Sequence, residues 1–178
     1  MIILIGGSSH VGKTYLAQKL MEKLNYPYIS LDHLKMAFIR TKMTELTTED
    51  DYEMRYFLWP FAAEMIKTAI ENDQNMIVEG CYIPGEWRDS FDEEYLCNIR
   101  CVFIVMSEEY IRSNEANIRD YASVVEHRLY DEVDIERLIM CSNGFAKDCI
   151  DYGIECIRIE KDFNIENMVD VVTDMLRK

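Results

Sequence analysis

The segment from Gly6 to Thr14, G-G-S-S-H-V-G-K-T, constrains this chain more than any other. From Gly7 it fits G-x-x-x-x-G-K-[ST], a turn whose backbone N–H groups point inward and cradle phosphates. Gly7 and Gly12 allow the tight backbone path. Ser8, Ser9, His10 and Val11 are needed only for their amides. Lys13 is placed to reach the terminal phosphates of a nucleotide, and the Thr14 hydroxyl to ligate Mg²⁺. The flanks agree with this reading. Met1 to Ile5 is a continuous apolar run that suits a buried parallel strand. Leu16, Ala17, Leu20, Met21 and Leu24 make an apolar stripe at helical spacing. Strand, turn and helix in that order set a positive helix N-terminus beneath the phosphates.

The same alternation continues down the chain. Tyr26 to Ser30 reads as a second strand that delivers Asp32 into a helix ending near Arg40. Thr47 and Thr48, followed by Glu49, Asp50 and Asp51, read as the capped start of a longer helix. Pro60 lies inside that helix and predicts a kink or break near Trp59. Met76 to Val78 is a third strand ending in Glu79-Gly80, and Ile99 to Met106 a fourth, apolar on both faces and therefore central. Ser107 caps the next helix. Ile135 to Ile150 reads as a helix, Ile154 to Ile159 as a fifth strand and Ile165 to Leu176 as a closing helix. Strands alternating with helices predict an α/β fold with a parallel sheet, in one domain over residues 1–178. Trp59, Trp87 and the tyrosines of 52–61 are expected in the core.

The formal net charge of −14 leaves no basic stripe to neutralise a nucleic acid or an anionic membrane, so neither is expected as a partner. A small-molecule substrate is expected instead, with the chain a monomer or homodimer. No apolar run reaches membrane-spanning length and the first strand begins at Met1, so the expected location is cytoplasmic. The six cysteines form no C-x-x-C pair, and reduced thiols rather than a structural metal are expected.

Two acids fall where strands of a parallel sheet end facing a nucleotide. Asp32 follows the second strand and is placed to orient and deprotonate an alcohol, although an aspartate there also serves as a helix cap. Glu79 ends the third and is placed to hold Mg²⁺ through water. The stretch from Asn114 to about Asp134 is charged and poor in apolar residues. It carries Arg119 and Arg128, which suit a closing lid that neutralises a transferred phosphoryl group. Arg40 and Arg88 are candidates for binding an anionic substrate. Neither the D-x-x-G nor the N-K-x-D signature of GTPases occurs. Glu79 is followed by Gly80 rather than by the second acid usual in hydrolysing ATPases, so hydrolysis is disfavoured.

With these residues in place the chain resembles the adenylate-kinase-like superfamily of P-loop small-molecule kinases. Its likeness is to shikimate and gluconate kinases, chloramphenicol phosphotransferase, zeta toxins and 2-phosphoglycerate-kinase-like proteins. Ile29-Ser30-Leu31-Asp32 is similar to the family's exit from its second strand, and Ile77-Val78-Glu79-Gly80 to its third. The resemblance implies a three-layer α/β/α sheet of order 2-3-1-4-5, with a helical substrate-side insert at about 32–72 and a lid at about 114–134. It implies ATP and Mg²⁺ as cofactors and a hydroxyl-bearing acceptor. It also implies that Arg112 stacks on adenine and opens the lid, and that Ile159 to Asp162 edges the adenine. The Gly-Asp then Arg pattern of nucleoside monophosphate kinases is missing after the second strand. A nucleoside monophosphate kinase and a non-catalytic ATP-binding module are the competing readings.

Overall fold

The computed structural model describes residues 1–121 and 133–177. Its centre is a sheet of five parallel strands: β1 (Ile2–Gly7), β2 (Tyr28–Ser30), β3 (Met76–Glu79), β4 (Ile99–Met106) and β5 (Glu155–Ile159). Their order is 2-3-1-4-5, as the resemblance implies. Eight helices are described around it: α1 (Lys13–Leu24), α2 (Leu31–Arg40), α3 (Asp51–Glu71), α4 (Glu93–Leu96), α5 (Glu108–Ser113), α6 (Glu115–Tyr121), α7 (Ile135–Tyr152) and α8 (Ile165–Met175). None is long and apolar enough to cross a membrane.

Side chains alternate across each strand, so each face of the sheet builds its own core. Ile2, Leu4, Val78, Phe103 and Val105 pack with Met54, Leu58, Ala62 and Ile66 of α3. Ile3, Ile5, Ile77, Val102 and Ile104 pack on the opposite face with Leu16 and Leu20 of α1 and Val169 and Val172 of α8. Helix α7 serves both layers, Leu138 and Ile139 joining the second and Phe145 and Cys149 the first.

Three local expectations change. Helix α3 starts at Asp51 with Asp50 in the N-cap position but giving no side-chain cap bond, because its carboxylate accepts instead from the N–H and the hydroxyl of Thr47 at 2.8 Å. Thr47 is thus committed to the turn before the helix. The same helix runs unbroken through Pro60. Pro60 and Tyr56 lie on the exposed face, where the carbonyl that the ring leaves unbonded is open to solvent. Tyr52 and Tyr56 are exposed rather than core, whereas Trp59 and Trp87 are buried as expected.

The carboxyl end of β4 is fastened to α7 by one side chain. Ser142, fully buried, accepts from the Met106 N–H at 2.8 Å and donates to the Met106 carbonyl at 2.9 Å. Ser142→Ala leaves both backbone groups buried and unpaired there. It is expected to lower unfolding stability by about 1–3 kcal/mol in a urea titration, and an unchanged midpoint would contradict this role.

Candidate active site

The phosphate-binding turn is formed by close contact between backbones. At Gly7 φ is 135°, and a Cβ there would lie 2.3 Å from the Ile104 carbonyl oxygen of β4. Gly12 has φ 87°, with the Phe163 ring 2.7 Å from where its Cβ would be. His10 adopts the left-handed region at φ 62°, an uncommon conformation outside glycine that keeps the turn curled. Gly12 is the N-cap of α1 and offers no side-chain acceptor, and no acid occupies the first turn. The leading amides of α1 are therefore left for an anion.

Lys13 is 8% exposed and donates to the Ser8 carbonyl at 2.7 Å, so its ammonium folds back over the turn. The Ser8 hydroxyl is buried with no hydrogen-bond partner among the described residues. Register brings Ile5 of β1 level with Glu79 of β3, and Ser30 of β2 level with the same residue. That alignment lets Thr14 Oγ1 donate to Glu79 Oε1 at 3.1 Å. Glu79 is only 1% exposed, and its Oε2 has no partner. Burial pushes the Glu79 carboxyl above its ordinary pKa; the Lys13 charge opposes the shift and the Asp32 charge adds to it.

Among the described residues no three His, Cys, Asp or Glu side chains converge on a metal position. A hydroxyl and an unpartnered buried carboxylate oxygen beside it fit Mg²⁺, which keeps most of its waters and takes further ligands from phosphates.

Asp32 is the second residue of α2, whose cap is Ser30, so the capping role is not its own. It begins a chain of polar contacts that the sequence did not disclose. Lys35 Nζ lies 3.1 Å from Asp32 Oδ1 and donates to the Tyr82 hydroxyl at 2.6 Å. Tyr82 in turn donates to Asp51 Oδ1 at 3.0 Å, and Arg137 Nη2 reaches Asp51 Oδ2 at 2.8 Å. Burial, followed by neighbouring Cys81, Asp32 and Asp51, holds the Tyr82 phenol far above its usual pKa, so it remains a donor. Arg55 donates to the Cys81 carbonyl at 3.2 Å, its guanidinium 4.9 Å from the Phe145 ring centre. Lys35, Arg55 and Arg137 thus come from α2, α3 and α7. Only Lys35 had a local signal, an i,i+3 position relative to Asp32. The other two needed the fold to bring distant helices together.

The remaining expected arginines take other positions. Arg40 is exposed at the far end of α2, about 12 Å along the axis from Asp32. Arg88, in the 3-10 turn Trp87–Ser90, donates to the Tyr152 carbonyl at 2.9 Å and lies over the Trp87 ring. Tyr152 ends α7, about 22 Å along that helix from Arg137, so Arg88 fastens the opposite end of the fold. Arg112 pairs with Glu108 of α5 and with both carboxylate oxygens of Glu136 in α7. Arg119 pairs with Glu115 within α6. Arg128 lies outside the described residues.

Comparisons with known proteins bear on the family and the fold. A family model described as an AAA domain matches residues 1–131. No curated protein matches the chain. Among solved structures it is similar to a sugar kinase from Janibacter sp. HTCC2649, at TM-score 0.61 and 14% identity over 99% of this chain and 94% of that one. It is also similar to a deoxyadenosine kinase from M. mycoides, at TM-score 0.57 and 15% identity over 99% of both chains. A third is the Mycobacterium tuberculosis APS kinase in complex with AMPPNP and APS, at TM-score 0.55 and 14% identity over 99% and 97%. At these identities the likeness is one of fold.

Glu79 provides a pH test. A carboxyl whose pKa is higher folded than unfolded costs stability above both values, and the cost fades as pH falls through the folded value. Glu79→Gln is therefore expected to melt above the wild type at pH 7.5, with the difference shrinking toward pH 5. A difference that grows on acidification would show that the carboxylate is stabilised in place.

Proposed function

The chain belongs to the AAA-domain family matched over its residues 1–131, and from that premise we propose that it is an ATP- and Mg²⁺-dependent phosphotransferase acting on a hydroxyl of a small anionic molecule. The observation that carries this reading is the meeting of two pairs on one sheet edge: Thr14 with Glu79, and Asp32 with Lys35. The first pair suits a metal-nucleotide, the second an acceptor beside it.

Bound Mg·ATP supplies the transferable phosphoryl group and the cation that offsets its charge. The amides from Ser8 to Thr14 would hold its phosphates. Lys13, now on the Ser8 carbonyl, would turn to a phosphate oxygen, a stronger charge-assisted contact. Thr14 Oγ1 and, through water, Glu79 would hold the cation. Asp32 accepts the proton of the acceptor hydroxyl, and Lys35 fixes the carboxylate in position.

The anionic character of the acceptor rests on charge. In a chain of net −14, Lys35 on Asp32 and Tyr82, Arg137 on Asp51 and Arg55 on the Cys81 carbonyl gather in one network, more positive charge than a neutral alcohol requires. Arg55 donates to a backbone carbonyl and lies over the Phe145 ring, neutral partners over which a carboxylate or phosphate is favoured. The fold neighbours named for kinases support the reaction class, and Arg112 and Arg119 stand as candidates for contacts to the nucleotide, with Arg128 outside the described residues.

The test is incubation with Mg·ATP and a panel of hydroxy acids, sugars, sugar phosphates, nucleosides and nucleoside monophosphates, read by phosphorus NMR. A new phosphate ester on a carboxylate- or phosphate-bearing alcohol is expected. Transfer to a monophosphate's own phosphate would instead make the protein a nucleoside monophosphate kinase. ATP binding with no transfer to any member would favour a regulatory module.

Two variants sharpen the assignment once an acceptor is in hand. Asp32→Asn is expected to keep its melting temperature and ATP affinity while turnover falls by roughly 10²–10⁴, the span of general-base catalysis. A fall of only a few-fold would reduce Asp32 to an orienting residue. Arg55→Leu is expected to raise the acceptor KM by about 10- to 100-fold, the worth of a charged hydrogen bond, with the ATP KM unchanged. An unchanged acceptor KM would remove Arg55 from the pocket.

A further inference from the structure

Serine at the start of a helix ordinarily accepts a hydrogen bond from an N–H of the first turn. Ser30 does not. It ends β2 and is the N-cap of α2, at φ −88° and ψ 127°, yet its side chain makes no cap bond. The hydroxyl is turned into the fold instead. The residue is 1% exposed, and Oγ has no hydrogen-bond partner among the described residues. A buried polar atom that neither caps its helix nor bonds a neighbour costs stability, which marks it for another use.

Strand register locates that hydroxyl. Tyr28 pairs with Ile77 and Ser30 with Glu79. Register partners of a parallel sheet carry their side chains on the same face, on strands about 4.8 Å apart. Ile77 packs in the core layer of α1, so Ser30 and Glu79 both face that helix, whose Thr14 Oγ1 donates to Glu79 Oε1. The other carboxylate oxygen, Oε2, is also buried and without a partner. A hydroxyl and a carboxylate oxygen thus stand on neighbouring strands beside Thr14, and neither is bonded to the other. Two such oxygens suit the two protons of one water molecule. A water bound to a cation is a donor of that kind, since its lone pair is committed to the metal.

We propose that Ser30 is a positioning residue for the cation of bound Mg·ATP, its Oγ and Glu79 Oε2 accepting the two protons of one water in the Mg²⁺ shell. This role rests on the Mg·ATP reading given under the proposed function and adds a residue to it. It accounts for a serine that could cap α2 and instead keeps its hydroxyl inside. It also accounts for a carboxylate buried with one oxygen bonded to Thr14 and the other to nothing. Ser30 acts on phosphoryl transfer indirectly, through the water it orients. Mg²⁺ keeps several waters and sheds them reluctantly, so a pair of oxygens that holds a water favours an ion of that kind.

Calorimetric titration of a non-hydrolysable ATP analogue into wild type, Ser30→Ala and Ser30→Thr, each in Mg²⁺ and in EDTA, separates this role from a structural one. Ser30→Ala is expected to keep the wild-type affinity in EDTA. It should lose about 3- to 10-fold of the strengthening that Mg²⁺ gives, the worth of one hydrogen bond. Ser30→Thr retains the hydroxyl and should retain that strengthening. Without nucleotide, Ser30→Ala is expected to melt at or above the wild type, because the hydroxyl it removes is buried and unbonded. Full Mg²⁺ strengthening in Ser30→Ala, or an equal loss in Mg²⁺ and in EDTA, would overturn the proposal. A lower melting temperature for that variant would mean that the hydroxyl caps α2, and would overturn it too. These outcomes leave the proposed function standing. A wild type whose affinity for the analogue is the same in Mg²⁺ and in EDTA would remove the metal-nucleotide reading, and this role with it.

Discussion

The register of β1 against β3 is the constraint from which the rest of the site follows. Pairing Ile5 with Glu79 sets the end of one strand level with the end of the other. The turn after β1 then returns Thr14 to within hydrogen-bonding distance of Glu79. A one-residue slip would send the Glu79 side chain to the opposite face of the sheet and leave Thr14 without it. Such a slip would also expose the apolar residues of two cores, so the packing that stabilises the fold is what fixes the site. The buried carboxylate is the cost of this arrangement, visible in its raised pKa and in an oxygen without a partner.

The polar network beside Asp32, which we propose as the acceptor side, is organised by charge rather than by apolar packing. A line of contacts runs from Asp32 through Lys35, Tyr82 and Asp51 to Arg137, tying α2, the loop after β3, α3 and α7 together. Each cation in that line is already neutralised, so an anionic guest gains only the difference between its own contacts and those it displaces. Such exchange favours selectivity over raw affinity, because a guest that satisfies one cation and strands another is penalised. Arg112 plays a comparable part elsewhere, where its bidentate pair with Glu136 joins α5 to the first turn of α7.

The nucleotide edge could be read in the sequence because it is local. The glycines, Lys13 and Thr14 lie within one turn, and strand ends follow from apolar runs that stop at Asp32 and Glu79. The sheet order came from resemblance, not from pattern, since periodicity does not say which strands are neighbours. The acceptor side was largely hidden. Arg55, Tyr82 and Arg137 are separated by dozens of residues, and nothing local distinguishes them from surface charges or core aromatics. Arg40 and Arg88 attracted attention for their charge, yet one sits at a helix end and the other anchors the far end of α7. Tyr52 and Tyr56 were expected inside because aromatics usually are, but they stand on the outer face of α3. The continuity of α3 through Pro60 depends on which face meets water, a fact that tertiary packing decides.

The central claim is that the edge formed by Gly7 to Thr14 and Glu79 binds Mg·ATP. Calorimetric titration of Mg·ATP into the wild type and Lys13→Ala, each with Mg²⁺ and with EDTA, tests it most directly. The account predicts saturable, Mg²⁺-strengthened binding to the wild type, loss of most of that affinity in Lys13→Ala, and no tighter binding of GTP. Equal affinity in the two proteins, or no binding at millimolar Mg·ATP, would contradict it.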